Sequence, residues 1–283
     1  MEYNCRVYDY PAGQHVSIYR RTITRNEKHA LPETETDTEA ETEAATDTDT
    51  ATAMTGNDEK LQTIPDNFTK TNQDPDRSPE AEEHSRKVSL ASTKNRLYNI
   101  ARSNNWQWFI TLTFDQKETD SSDYTAVTKR LQKFLNNLQQ RTCPDLKYLI
   151  VPELHKDGIH YHFHGLLADC DGLQFSYSGH NTEDGEPVYN ILNWKHGFTT
   201  ATKITDTRRA CSYITKYITK ESQIFLKEKN RYYASRNVNR TAPDFHIVDQ
   251  EDFLKVYGDR IQYVKSEKIP AAYQQVNYYE LDY

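Results

Sequence analysis

Three histidines stand at alternate positions in His160-Tyr161-His162-Phe163-His164, within a run from Ile159 to Leu167 that reads as a β-strand. Period two puts all three imidazoles on one face. With ten histidines in 283 residues, chance alone would set a second and third His at i+2 and i+4 in about 1% of such chains, so the cluster calls for a function. Side chains two apart on a strand are about 6.5 to 7 Å apart, and two imidazoles with metal–nitrogen bonds of about 2.1 Å can share one ion across that gap. Positions four apart, at about 13 Å, cannot. A single ion would therefore use either His160 with His162 or His162 with His164. Glu153 closes the preceding apolar run, and if the chain reverses at Lys156-Asp157-Gly158 its carboxylate reaches the histidine face, giving an open site of two histidines and one carboxylate. The plainer alternatives are a solvated strand face for the histidines and an exposed charge beside a turn for Glu153. His155 and His180, standing alone, read as ordinary polar residues.

Downstream lies Tyr213-Ile214-Thr215-Lys216-Tyr217-Ile218-Thr219-Lys220. On a helix the two tyrosines, four apart, lie one above the other, and Lys216 shares their side at i+3 of Tyr213. Cys211, Ile214 and Ile218 make the packing stripe, which leaves the tyrosines and lysines on a wetter flank. Such a pair is common by chance and gains meaning only beside the histidines. A phenol next to a metal-polarised phosphate and an ammonium is a credible nucleophile.

Positioning these groups requires strands and helices in a definite order. Val88 to Ser103 reads as a basic helix, and Trp106 to Phe114 as a strand with Trp108, Ile110, Leu112 and Phe114 on one face and Phe109, Thr111 and Thr113 on the other. Asp123 to Arg141 carries the apolar stripe Val127, Leu131, Phe134, Leu135 and Leu138 of an amphipathic helix, stopped by Pro144. Leu146 to Pro152 is a second strand, joined through the Lys156-Asp157-Gly158 turn to the histidine strand in an antiparallel hairpin. After a loop bearing Gly and Asn, Val188 to Trp194 and Gly197 to Ile204 suggest further strands, and Thr205-Asp206 caps a helix running to about Lys220. This is an α+β pattern with an antiparallel sheet, in one domain over 85–245.

The flanks differ in character. Residues 1–30 are basic and aromatic, with Tyr3, Tyr8, Tyr10 and Tyr19 able to pair as a short strand, and 246–283 form a C-terminal extension. Residues 31–84 are acidic and repetitive: from Leu31 to Glu83 there are 16 Asp and Glu against 3 Lys and Arg. A segment of that composition cannot bury enough apolar surface to offset its ordering entropy, so it is expected to be a disordered insert. The whole chain carries −7, so the rest is mildly basic, which permits nucleic-acid binding. Four scattered cysteines without a Cys-x-x-Cys pair fit free thiols in a reducing compartment. No apolar run suggests a membrane span or a signal peptide, so a soluble, unexported protein is expected.

Taken in order, Phe109-Ile110-Thr111-Leu112-Thr113-Phe114, then His162-Phe163-His164-Gly165-Leu166-Leu167, then Tyr213-x-x-Lys216-Tyr217 resemble the three motifs of rolling-circle replication initiators, the HUH endonucleases of small phages and plasmids. The resemblance is strongest to the phage-type replication-associated proteins with two tyrosines. It covers about Trp106 to Arg240, including Tyr148 to Gly158 and Trp194 to Phe198. It implies a central antiparallel sheet flanked by helices, the HUH endonuclease fold. It implies that His162 and His164, with Glu153, hold Mg²⁺ or Mn²⁺. His160 leaves an alternative pair open, although Gly165 and the following leucines align the family's pattern with His162 and His164. By the same resemblance, Tyr213 or Tyr217 attacks single-stranded origin DNA to give a 5′-phosphotyrosyl link and a 3′-hydroxyl that primes synthesis, while Lys216 neutralises phosphate charge. Arg208, Arg209 and Lys220 around the tyrosine helix would contact the DNA. Partners would be a host replication helicase and polymerase, in the cytoplasm of a bacterial host. The acidic insert and the aromatic N-terminus match nothing in that family, and no Walker A motif is present, so no helicase domain is expected. Two competitors remain: a non-catalytic binder of single-stranded nucleic acid, whose sheet aromatics would stack bases, and a related transposase or relaxase with the same metal site.

Overall fold

Alternating aromatic and β-branched residues open the chain as a hairpin, β1 (Glu2–Tyr10) and β2 (Gly13–Thr24), turned at Gly13 with φ of 115°. The computed structural model describes residues 1–24, 78–218, 229–269 and 274–283. Most of the acidic insert expected at 31–84 lies outside the described residues; its last seven do not follow that expectation. Ser78 caps α1 (Pro79–Arg102) by accepting from the Ala81 N–H at 3.3 Å. Ser before Pro at the first helical position, with Glu80 and Glu83 near the positive end of the helix dipole, is a strong start signal. The charge count hides it.

The chain then runs through β3 (Trp108–Leu112), α2 (Tyr124–Arg141), β4 (Lys147–Leu154) and β5 (Tyr161–Ala168). It continues through β6 (Phe175–Asn181), β7 (Pro187–Ile191), β8 (Thr199–Lys203), α3 (Thr207–Lys216) and the two-residue β9 (Tyr233–Ala234). The last elements are β10 (Asp244–His246), α4 (Gln250–Tyr257), β11 (Ile261–Ile269) and β12 (Gln274–Leu281). β6 occupies the stretch that reads as a loop, where Gly179 takes φ of 86° and the register with β7 shifts between Tyr177 and Asn181. A bulged strand carries little alternation to read. The tyrosine helix ends at Lys216 rather than near Lys220, with Tyr217 as its C-cap.

The first sheet has seven antiparallel strands in the order β6-β7-β8-β3-β5-β4-β9. One face packs under α2, whose Val127, Leu131 and Leu135 bury against Ile110, Leu112, Ile150 and Phe163. The other face packs under α1 and α3, through Leu97, Ile100, Cys211 and Ile214 against Leu149, Val151 and Leu166. The helices thus flank the sheet on both sides, as the pattern implies. Alternation along β5 follows directly: burying Phe163 and Leu167 under α2 turns His162, His164 and Leu166 toward α3.

The second sheet, ordered β10-β1-β2-β12-β11, joins the first 24 residues to the C-terminal extension. Its small core is Cys5, Val16, Ile18, Phe253, Tyr279 and Leu281. Side chains tie it to the first sheet's helices. Arg102 of α1, 1% exposed, donates to Glu280 at 2.7 Å and to the Tyr98 hydroxyl at 2.8 Å, while Arg208 of α3 donates to the Ala12 carbonyl and to Asp282. All four cysteines are free and buried. No described helix is long and apolar enough to cross a membrane.

Candidate metal centre and tyrosine pair

Register brings the acidic and imidazole groups together. Glu153 of β4 pairs directly with His162 of β5, and His164 lies two residues on, on the same face. Glu153 Oε2 is 2.7 Å from His162 Nε2 and 2.8 Å from His164 Nε2, and the two Nε2 atoms are 2.9 Å apart. Hydrogen bonding alone accounts poorly for this, since two ring N–H groups aimed at one oxygen would set their protons side by side. Donors about 3 Å from one another are spaced as neighbouring ligands on one ion with bonds of about 2.1 Å. Two imidazole nitrogens and a carboxylate oxygen suit a divalent cation and leave further positions open to substrate oxygen. This trio is the one such ligand cluster among the described residues.

The protonation states agree with that use. Burial works to raise the Glu153 carboxyl, but hydrogen bonds from His162 and His164 outweigh it and hold it at about 2. Burial lowers the His164 imidazole against the opposing pull of Glu153. A charged carboxylate beside a neutral imidazole is what metal ligation requires. On the far side of its ring, His164 Nδ1 meets Thr111 Oγ1 at 3.1 Å, a contact that fixes ring orientation in metal sites. Spacing and motif alone do not single out Thr111, yet it is legible in the sequence: alternation along β3 places it on the histidine side.

His160, the alternative ligand, lies outside the trio and just outside the strand. Asp157 accepts the Ile159 and His160 N–H groups at 2.8 and 3.1 Å and also contacts His160 Nδ1 at 2.7 Å. This Asx-type turn holds His160 in the turn, where its Nε2 meets the Gln116 amide at 3.0 Å. Three histidines at period two therefore yield two on the strand face.

The tyrosines divide their surroundings. Tyr217 stacks on His164 with ring centroids 3.8 Å apart and planes 11° from parallel. Burial, and then its hydrogen bond with Tyr213, pushes its phenol pKa up. Tyr213 is 45% exposed, packs edge-on against Tyr217 and Phe109 at 5.4 and 5.3 Å, and has Lys216 Nζ 5.1 Å from its ring centroid. Cys211, Ile214 and Ile218 are buried as expected. Trio, lysine and both tyrosines thus share one sheet face. Of the three basic residues expected at DNA, Arg208 is engaged with Ala12 and Asp282, Arg209 is 77% exposed beside Asp184, and Lys220 lies outside the described residues.

Residues 107–222, which span β3, the trio and α3, match the model of a family of replication-associated proteins, the one typified by ORF2. No curated protein and no solved structure matches the chain.

Proposed function

We propose, from the premise that residues 107–222 are those of an ORF2-type replication-associated protein, that this protein initiates rolling-circle replication by nicking single-stranded origin DNA with a tyrosine. The observation that carries the reading is the convergence of Glu153, His162 and His164 within 2.9 Å of one another, with Tyr217 stacked on His164. A Mg²⁺ or Mn²⁺ ion held by those three side chains would supply Lewis-acid polarisation of a phosphodiester oxygen. The chain's own groups do the rest. Glu153 stays ionised and Thr111 fixes His164, so the donor set is preorganised. Tyr213 is the exposed phenol with an ammonium beside it, and it makes the first attack. Its oxygen bonds to phosphorus as the bond to the 3′ oxygen breaks; the phenolic proton passes to solvent, and the departing oxygen takes one up. The products are a 5′-phosphotyrosine and a 3′-hydroxyl for a host polymerase to extend behind a host helicase. Tyr217, half-buried and harder to ionise, serves as the second tyrosine in strand transfer. Lys216 lowers the charge cost of bringing a phosphate to the pair, and Arg209 contributes to holding the strand.

The test is covalent capture of single-stranded origin DNA with Mn²⁺. Phenylalanine keeps the ring packing of either tyrosine, so these variants isolate the hydroxyl. Tyr213→Phe is expected to lose the first adduct, Tyr217→Phe to keep it but fail in strand transfer, and the double variant to do neither. An adduct mapped by mass spectrometry only to Tyr217 reverses the order, and one on neither tyrosine ends the mechanism.

A further inference from the structure

Phe198 is 88% exposed, the highest of the large apolar side chains described. Its position in the sheet gives that exposure meaning. Leu112 of β3 pairs with Phe163 of β5 on one side and with Thr199 of β8 on the other. One residue on, the Thr113 N–H and Thr113 Oγ1 both bond the Phe198 carbonyl at 2.9 Å. Continuing the register sets Glu153, His162, Thr113 and Phe198 in one row across four strands. Thr199 is buried on the α2 side and Thr200 is exposed, so period two turns Phe198 to the face that bears the trio. Two strand spacings separate His162 from Phe198, about 10 Å.

The backbone holds this ring in place. Gly197, at φ of 157°, packs so closely on β3 that a Cβ there would lie 2.5 Å from the Thr113 carbonyl oxygen. The Asp115 N–H also bonds the His196 carbonyl at 2.7 Å. A benzene ring anchored on a sheet and left in water is costly to keep wet, and here the strip between it and the trio is polar: Thr111, Thr113 and Thr200 offer hydroxyls and no competing apolar cover. Exposed Lys195 lies three residues before it. A flat aromatic beside hydroxyls, one ammonium and a phosphate-handling centre matches the chemistry of a nucleotide, with the base stacked and the sugar-phosphate on the polar strip.

We propose that Phe198 is the stacking platform for a base flanking the phosphate at the trio, so that single-stranded DNA crosses the sheet along the row from Glu153 to Phe198. The inference rests on the nicking reading for which phosphate is engaged. It assigns a positioning residue that touches DNA and takes no part in bond making. Stacking is indifferent to sequence because every base has a π-face, so a random-sequence single-stranded DNA pool, about 30 nucleotides long and thus longer than the roughly 4 to 16 nucleotides a single such fold covers, is a sufficient probe.

Binding of the full chain to that labelled pool is measured by fluorescence anisotropy in EDTA, where metal plays no part. Phe198→Ala is expected to bind about 5- to 150-fold more weakly, the range of a lost base stack. The slope of log affinity against log salt should be unchanged, because no charge is removed. Phe198→Tyr should restore binding, and Val256→Ala, removing another exposed apolar side chain (69% exposed) on α4, should have no effect. Equal affinity for Phe198→Ala and the unaltered protein, or no binding of the pool by the unaltered protein, overturns the proposal. Adduct formation with Mn²⁺ is scored in parallel. Binding that depends on Phe198 without any adduct defeats the nicking reading alone, and an adduct with Phe198-independent binding defeats the platform alone.

Discussion

Glu153 is the residue on which the metal reading turns, because one of its oxygens touches both imidazoles. Glu153→Gln keeps the shape and removes the charge, and His162→Ala or His164→Ala removes a nitrogen donor. Each should weaken Mn²⁺ binding in calorimetric titration by more than the roughly 10- to 100-fold typical of a lost supporting partner, and Thr111→Val, which strips the bond from His164 Nδ1, should fall within that range. His160→Ala should titrate like the unaltered protein, since its ring is engaged by Asp157 and Gln116. Equal losses for His160→Ala and His162→Ala would overturn the ligand assignment. At this scale the sequence is informative where spacing and chemistry coincide: period two and a hairpin turn suffice to place His162, His164 and Glu153 together. The exclusion of His160 is not legible, because it depends on how Asp157 uses its carboxylate within the turn.

Among the elements, β5 is the one that cannot be altered cheaply. Gly165 lies between the two histidine-face neighbours His164 and Leu166 and points at the opposite core, where a Cβ would come within 2.9 Å of Ile150 Cγ1 and 3.3 Å of Ile110 Cγ1. Gly165→Ala therefore forces two buried isoleucines aside in the centre of the sheet. Overpacking of this kind costs about 1 to 3 kcal/mol, which urea denaturation should show as a lower midpoint at constant slope. A midpoint equal to that of the unaltered protein would mean that the two isoleucines relax freely. Periodicity reveals α2 almost to the residue, because its buried stripe and its Asp123 cap are both strong signals. It misses β6, whose bulge breaks alternation, and it sets the start of α1 too late, because the net charge of the region masks the local start signal at Ser78-Pro79. The end of α3 falls too late for a related reason: Tyr217 and Ile218 continue its apolar spacing after the helix has stopped.

Over the whole molecule, the second sheet is what sequence reading could not assemble, since β2 and β12 are brought together only by tertiary pairing. Its attachment runs through Glu280, where burial works to raise the carboxyl but contacts with His15 and Arg102 outweigh it and hold it at about 2. A carboxyl depressed in the folded state stabilises above its unfolded value, near about 4.3, and that contribution fades as pH falls from there toward 2. The full difference is about 3 kcal/mol. Glu280→Gln should flatten this part of the stability curve in melts taken from pH 6 to pH 3, and an unchanged acid limb would show that the contact does not link folding to pH. Glu280→Ala should be harsher, by about 3 to 5 kcal/mol at neutral pH, because Arg102 is left charged and buried.

The pairing of β2 with β12 also sets a timetable for synthesis. About 250 residues separate the end of β2 from the start of β12, which at about 5 to 20 residues per second is about 12 to 50 s of translation. For that interval the β1–β2 hairpin exists with one edge unpaired, and Val16 and Ile18, each 2% exposed in the finished protein, have nothing from β12 to cover them. Open edges and bare apolar side chains are what aggregation and chaperones both act on. A ribosome-bound chain stalled after residue 269 should therefore retain ribosome-associated holdases that a chain extended past residue 281 releases, so the hairpin is the first piece of this protein to be made and among the last to be safe.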